Sequence, residues 1–299
     1  MKFPAKETAL LKLWQKQTTL KQQEEFVVLA VARGKINALK LLYKQTPLPQ
    51  ALNQAGANTD EFPQFFKQIT HHDDVELLEL IHDKDPDFYQ TLWTNFKNSH
   101  NRVLLQHVVD KKALHILKYL TQTHPEEDLY AIQRGYGLTW LHLMATSGWT
   151  EGVAHVCQLY PEALHARENR GRSLLHCATR YGRPKLMMWL MDAGLEVDIG
   201  DKKNRTPLYH LLLGYLESLG YAKDLPNWQQ CAQILIERGT NEHQYTGKTK
   251  RSTPFMSLLK QHQPEKYAIL KAMFDAKSDQ KELQQSTNTV LKEVVIRRI

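Results

Sequence analysis

Residues 137–169 read GLTWLHLMATSGWTEGVAHVCQLYPEALHAREN, and residues 171–203 read GRSLLHCATRYGRPKLMMWLMDAGLEVDIGDKK. The two stretches align, and a third copy begins NRTPLYHLLLGYLESLG at Asn204 and resumes WQQCAQILIERGTNEH at Trp228. A weaker fourth copy begins RSTPFMSLLK at Arg251. The Ser or Thr that opens each copy lies at 139, 173, 206 or 253, which gives spacings of 34, 33 and 47 residues. A repeat of this period predicts stacked supersecondary units.

Each copy predicts a turn followed by two short antiparallel helices. The opening Ser or Thr supplies the side-chain oxygen of an N-cap, and Pro207 and Pro254 follow where a missing N–H group costs nothing. Glycines end the helices, Gly148 and Gly182 for the first helix and Gly194 and Gly239 for the second. Because one such pair cannot bury its apolar face alone, we expect the pairs to stack.

The opening tetrapeptides resemble the T-P-L-H signature of the ankyrin-repeat family. Thr-Trp-Leu-His (139–142) and Ser-Leu-Leu-His (173–176) keep the cap and the histidine, whereas Thr-Pro-Leu-Tyr (206–209) and Thr-Pro-Phe-Met (253–256) lose the histidine. The resemblance implies an all-α, ankyrin-type helical solenoid of about seven helix pairs with short inter-repeat turns. It also implies that His142 and His176 brace their turns through local hydrogen bonds and have no catalytic role.

The sequence predicts four segments. Residues 1–20 are expected to form an N-terminal capping helix and residues 21–130 divergent ankyrin-like repeats, because 26–44, 62–81 and 103–120 repeat the helix pairing. Residues 131–275 hold the clearer repeats, with an insertion at 215–227. Residues 276–299 are expected to form a C-terminal capping helix or a flexible tail.

Composition and motifs exclude several classes of protein. Apolar residues make up 42% of the chain and charged residues 24%, typical of a globular protein, and the longest apolar run, Phe26–Ala32, is too short to cross a bilayer. Three cysteines and no signal peptide favour the cytoplasm. The pair His71-His72 beside Asp73-Asp74 is not expected to bind metal, because adjacent helical residues point apart. We predict no catalytic residue, no cofactor and no metal.

Basic residues lie in the turns between copies. Residues 1–130 hold 16 of the 39 basic and 16 of the 32 acidic residues, so the whole net charge of +7 lies beyond them. Three turns each carry three cations: Arg167, Arg170 and Arg172; Lys202, Lys203 and Arg205; and Lys248, Lys250 and Arg251. We predict a partner-binding edge of these residues together with Arg180, Tyr181, Arg183 and Trp149. Solvation alone is the alternative for the cations, and core packing is the alternative for Trp149.

These features predict a protein-protein interaction module whose partner has an acidic surface. The His-rich and Gln-rich repeats resemble the ankyrin-repeat effectors that intracellular bacterial pathogens deliver by type IV secretion, which implies a host partner, a host-cytoplasmic location and a C-terminal secretion signal. An enzyme with an active site in the N-terminal half would need a convergent polar pocket there. A nucleic-acid-binding protein would need aromatic residues among the cations. We favour a monomer.

Overall fold

The structure is all-helical wherever it describes the chain. This computed structural model describes residues 12–14, 16, 26, 30, 35–45, 69–84, 86–87, 89–90, 103–124, 138–218, 227–241, 257, 260–261 and 264–296. Every regular element in these ranges is a helix. The chain divides into two compact units, Met1–Asp128 and Leu129–Ile299.

In the described part of the first unit, the helices pack with apolar side chains between them. Its helices are α1 (Ile36–Gln45), α2 (Val75–Lys84), α3 (Val103–Lys111) and α4 (Leu114–Thr123), and residues 69–72 form the short helix before α2. Helix α1 packs on α2, and α4 packs on both α2 and α3. The fully buried side chains include Leu39, Leu42, Leu77, Ile81, Ile116 and Leu117. At its start, the rings of Trp14 and Phe26 meet edge to face at 5.6 Å.

The second unit is a two-layered stack of helix pairs. Its helices are α5 (Trp140–Ser147), α6 (Thr150–Leu159), α7 (Leu174–Arg180), α8 (Pro184–Asp192), α9 (Pro207–Ser218), α10 (Trp228–Glu237) and α11 (Pro264–Ile296), with a 3-10 turn at Pro161–His165. The first helices of successive pairs, α5, α7 and α9, pack side by side. The second helices α6, α8 and α10 do the same, and each pair packs internally. This arrangement is an ankyrin-type helical solenoid.

The same type of backbone turn joins the two helices of each pair in both units. In each turn, the N–H group of the residue that precedes the second helix donates to a carbonyl five residues back, over 2.9–3.2 Å. The donors are Lys35, Asp74, Ala113, Trp149 and Arg183. The residue before the donor has a positive φ in the last four turns, at Asp73, Lys112, Gly148 and Gly182. Two turns of the first unit therefore repeat the turn of the second with Asp73 and Lys112 in the place of glycine.

The described residues also bear on the predicted segments. Helix α9 extends to Ser218, into the predicted insertion at 215–227, of which 219–226 lie outside the described residues. Helix α11 begins at Pro264 and continues unbroken through residue 276 to Ile296. Most of the predicted capping helix at 1–20 and the start of the fourth copy at 251–256 also lie outside the described residues. Among the helices described, none is long and apolar enough to span a membrane.

Candidate functional site

Two loops between successive helix pairs form matching hairpin turns, which we call the first finger (residues 167–172) and the second finger (residues 200–205). In the first, Glu168 N donates to Arg172 O over 3.1 Å, and in the second, Asp201 N donates to Arg205 O over 3.0 Å. Gly171 and Asn204 occupy the same position in the two turns, with φ of 75° and 57°. A left-handed residue is needed here, and glycine and asparagine adopt this conformation most readily.

Each finger closes around a buried carboxylate. Glu168 is 4% exposed, and its Oε1 accepts from the backbone N–H groups of Arg170 and Arg172 and from Arg172 Nε, over 2.9–3.0 Å. Burial alone would raise the pKa of Glu168, but the hydrogen bonds from Arg172 outweigh it and lower the pKa. The acid of the first finger is therefore an internal tie between backbone and guanidinium.

Asp201 has the same role in the second finger. Its Oδ1 accepts from the backbone N–H groups of Lys203 and Arg205 over 2.8 and 3.0 Å, and its Oδ2 lies 2.7 Å from Arg205 Nη2. Burial opposes ionisation, but these hydrogen bonds hold the pKa of Asp201 well below its usual range. Arg205 also lies over the Tyr209 ring, 5.6 Å from its centroid.

The buried acids leave the outer surface of the fingers positive. Arg170, Lys202 and Lys203 are exposed, and within the described residues no acidic group pairs with them. Lys202 N donates to Arg170 O over 3.0 Å, so the two fingers are joined and these cations share one edge. We call these three residues the fingertip cations.

The other predicted arginines have internal partners that the sequence did not reveal. Arg167 Nη1 donates to the carbonyls of Gly171 and Gly200 over 2.8 Å, so it links the fingers. Arg183 Nε donates to Thr146 O over 2.8 Å, which links the second helix pair of this unit to the first. The side chains of Arg172 and Arg205 are only 13% and 17% exposed because their carboxylate partners are buried.

The remaining predicted site residues differ in exposure. Tyr181 is 44% exposed at the end of α7, where a partner can reach it, and Arg180 beside it is half-buried. Lys248, Lys250 and Arg251 lie outside the described residues.

Trp149 lies in the core, which is the second of the two roles that the sequence left open. It is 2% exposed, and its ring covers Gly152, where an added Cβ atom would stand 2.5 Å from the ring. In the turn before α6, the backbone N–H group of Trp149 donates to Met144 O over 3.0 Å. Trp149 is therefore removed from the partner-binding set.

His142 and His176 brace their turns, as the resemblance implied, and each also holds the next finger. His142 Nδ1 lies 2.7 Å from Thr139 Oγ1, and Nε2 lies 3.0 Å from Arg172 O. Since a carbonyl only accepts, Nε2 carries the hydrogen. His176 repeats this geometry, with Nδ1 accepting from Ser173 N over 3.1 Å and Nε2 donating to Arg205 O over 2.9 Å.

His210 is a structural residue that the sequence reasoning missed. The third copy has Tyr209 at the signature position, but His210, one residue later, places Nε2 3.1 Å from Asp201 Oδ2. Its ring meets the ring of His176 edge to face at 5.0 Å. A search for histidine displaced by one position in TPLYH would have found it.

The first unit contains an open polar cleft of about 550 Å³ between α2 and α4. Its lining residues include Lys40, His72, Asp74, Glu79 and Lys118 in addition to the pair discussed next. Among the described residues that line it, none is a serine, threonine or cysteine. The cleft therefore offers no hydroxyl or thiol nucleophile from these residues apart from the Tyr119 phenol, whose pKa burial raises.

Asp73 and His115 meet in this cleft as a helix cap. Asp73 Oδ2 lies 2.7 Å from His115 Nδ1 and 3.0 Å from His115 N, while Oδ1 accepts from Ile116 N over 3.0 Å. A carboxylate that accepts the first free N–H groups of a helix is a typical N-terminal cap. The neighbouring Asp74 pairs with Lys40 over 2.5 Å. Both carboxylates of the His71–Asp74 cluster are thus used in joining one helix pair to the next.

The cysteines do not have the environment of nucleophiles. Cys177 is 1% exposed, and burial raises the pKa of its thiol to about 12. Burial likewise raises the pKa of the half-buried Cys157 thiol to about 11. A nucleophilic cysteine needs a lowered pKa, because the thiolate is the reactive form.

The chain is similar to solved structures but matches no known sequence family. No family model matches the sequence, and no curated protein matches it. An ankyrin repeat domain from Acinetobacter baumannii AYE is 15% identical in sequence, with a TM-score of 0.47. The match covers 73% of this chain and 98% of that domain.

The turns, caps and fingers define an ankyrin-type helical solenoid from the geometry of this chain alone. Solenoids of this kind generally serve as binding scaffolds, because stacked repeats present one long edge and one concave face. In this chain that edge holds the fingertip cations.

Proposed function

We propose that this chain is a protein-interaction module that binds an acidic surface of a partner protein through its finger edge. The observation that supports this most directly is the separation of charge in the fingers. Glu168 and Asp201 are buried and bonded inside, while Arg170, Lys202 and Lys203 remain exposed on adjoining fingers. An interface partner therefore meets positive charge, which speeds its encounter and excludes basic competitors.

The structural roles of the other arginines strengthen this proposal. Arg172 and Arg205 hold the fingers in a fixed conformation through Glu168 and Asp201. Fixed loops lose less conformational entropy when a partner binds than mobile loops do. Tyr181, 44% exposed, adds an amphipathic side chain of the kind that is enriched at interface hot spots.

The test is a triple reversal of the fingertip cations, Arg170→Glu, Lys202→Glu and Lys203→Glu, assayed against a candidate acidic partner by stopped-flow or surface plasmon resonance. We expect association to slow by about tenfold or more at low salt, because steering by exposed charge has this size. Stability should change little, since exposed charges contribute only about 0–1 kcal/mol each.

The matched control is Lys35→Glu, Lys111→Glu and Lys118→Glu, which changes the net charge equally on exposed residues of the first unit. If the control slows association as much as the fingertip variant does, the effect is one of net charge and the finger edge is not the interface. Equal association rates for wild type and fingertip variant would mean that the cations only solvate the edge.

We further propose that the partner is a host protein and that the chain is an effector delivered by type IV secretion into the host cytoplasm. The supporting observations are in the sequence: divergent His-rich and Gln-rich repeats, and a polar C-terminal stretch that ends in LKEVVIRRI. A translocation reporter fused to the full chain should enter host cells. The same reporter on a chain lacking residues 276–299 should not, and equal entry of both would remove the secretion signal from this segment.

No specific observation in the described residues favours an enzyme or a nucleic-acid-binding protein. The cleft of the first unit uses Asp73 as a helix cap and Asp74 as an ion-pair partner. The described fingers, RENRGR and GDKKNR, contain no aromatic residue on which a base could stack. Binding without chemistry is the function that the described geometry supports best.

A further inference from the structure

The two fingers contact each other along their backbones. Lys202 N donates to Arg170 O over 3.0 Å, so a peptide group of the second finger lies directly against one of the first. A Cβ atom added at Gly171 would stand 2.8 Å from Lys202 Cγ and 2.9 Å from Lys202 N, so glycine is what permits this approach. The fingers are therefore packed together and do not project as separate loops.

Arg167 bridges the same two fingers with one side-chain nitrogen. Its Nη1 donates to Gly171 O in the first finger and to Gly200 O in the second, over 2.8 Å in each case. The bridge reaches the residue at which the second finger begins, whereas the bond from Lys202 to Arg170 lies farther along both fingers. Two separate contacts therefore hold the second finger against the first.

Each finger is also held on the helix pair that precedes it, independently of Arg167. His142 Nε2 donates to Arg172 O over 3.0 Å, and His176 Nε2 donates to Arg205 O over 2.9 Å. If the Arg167 side chain were removed, each finger would keep these bonds and its buried carboxylate. The loss would weaken the contact between the fingers and leave each finger formed.

The contact between the fingers sets the spacing of the fingertip cations. Arg170 lies on the first finger, and Lys202 and Lys203 lie on the second. Because the fingers are already aligned in the free protein, an acidic polypeptide can contact both without the loss of conformational entropy that aligning them would cost. Part of the binding energy therefore depends on the alignment of the fingers and not only on the three charges.

We propose that Arg167 is a positioning residue that locks the two fingers into a single binding element for an acidic polypeptide and does not itself contact that polypeptide. This inference rests on the function proposed above. It differs from the sequence-based prediction that Arg167 contacts the partner, because the nitrogen that would be offered to a partner is used between the fingers.

The first test needs no partner and measures amide hydrogen exchange by NMR. In Arg167→Met, we expect the Lys202 N–H group to exchange about fivefold faster or more than in wild type, because the lost hydrogen bonds weaken the contact between the fingers by at least that much. The Leu195 N–H group, bonded elsewhere in the same unit, is the reference and should not change. The matched control is Arg183→Met, which loses a bond to the Thr146 carbonyl and should leave exchange at Lys202 unchanged.

The second test measures dissociation of the full chain from a poly-glutamate peptide at low salt by surface plasmon resonance. Arg167→Met should dissociate about threefold faster or more than wild type, and Arg183→Met should dissociate as wild type does. In a background of Lys202→Ala and Lys203→Ala, adding Arg167→Met should change dissociation little, because the second finger then has no cation to position. A residue that contacts the peptide directly would instead have the same effect in both backgrounds.

Three results would overturn the proposal while the proposed function stands. Exchange at Lys202 could be unchanged in Arg167→Met, exchange could rise equally at Leu195, which would mean that the whole unit is loosened, or dissociation could speed up equally in both backgrounds. A different result would remove the proposed function and this inference together. In that case wild type would fail to bind poly-glutamate, or the triple reversal of the fingertip cations would bind it as well as wild type does.

Discussion

Acidification should weaken the second unit through its buried histidines. His142 and His176 are fully buried, and burial lowers their pKa values to about 4 and about 3 from an ordinary 6.5. Their hydrogen bonds explain why the neutral form is needed. In His176, Nδ1 accepts from Ser173 N, so a proton on Nδ1 would face an N–H group.

The sign follows from proton binding. A histidine with a lowered pKa in the folded state binds fewer protons there than in the unfolded chain, so stability is fully present above pH 6.5 and falls as the pH drops towards 4. At about pH 5 the loss is about 2 kcal/mol for each histidine, or about 4 kcal/mol for His142 and His176 together. His210, whose pKa burial lowers to about 4, changes in the same direction.

The perturbation that isolates this effect is His142→Asn, and separately His176→Asn. At neutral pH each should cost roughly 1–2 kcal/mol, because the carbonyl of the next finger loses its donor. At about pH 5 that difference from wild type should largely vanish, since asparagine takes up no proton. His165→Asn, at an exposed position, should follow wild type at both pH values.

Urea unfolding followed by tryptophan fluorescence measures these differences. Four of the six tryptophans, Trp140, Trp149, Trp189 and Trp228, lie in the second unit, so the signal reports mainly on that unit. The reasoning is refuted if the difference in free energy of unfolding between wild type and His142→Asn is the same at both pH values. That result would mean that the buried ring is protonated at no cost.

Two further predictions concern the backbone. Gly214→Ala should destabilise the second unit by about 1–3 kcal/mol or more, because the added Cβ would stand 1.9 Å from Arg180 O where α9 crosses α7. The control is Gln158→Ala, on the exposed face of α6, whose melting temperature should stay close to that of wild type. Lys112→Gly should stabilise the first unit by up to about 1 kcal/mol, because Lys112 has a φ of 55° that a side chain resists. An unchanged or lowered urea midpoint for Lys112→Gly would show that its side chain makes up for the strain.

The repeat itself could be predicted from sequence because its signals are local. Thr139, Ser173 and the four glycines each act within one turn of their own helix, so spacing alone locates the helices. The first unit was harder to interpret, since Asp73 and Lys112 occupy the left-handed position where the second unit has glycine. Lysine does not indicate that conformation in a sequence, and aspartate indicates it far less clearly than glycine does.

The charge of the finger edge depends partly on the sequence and partly on the tertiary structure. Composition and spacing were enough to predict basic turns at 167–172 and 201–205. Which cations stay exposed depends on folding, because Glu168 and Asp201 turn inward and bind the arginine four residues ahead. A sequence lists charges in order, but burial decides which pairs form, since a carboxylate removed from water must find donors nearby. The same reason places His142 against Arg172 O, 30 residues away in the chain, a contact that only the stacking of one repeat on the next creates.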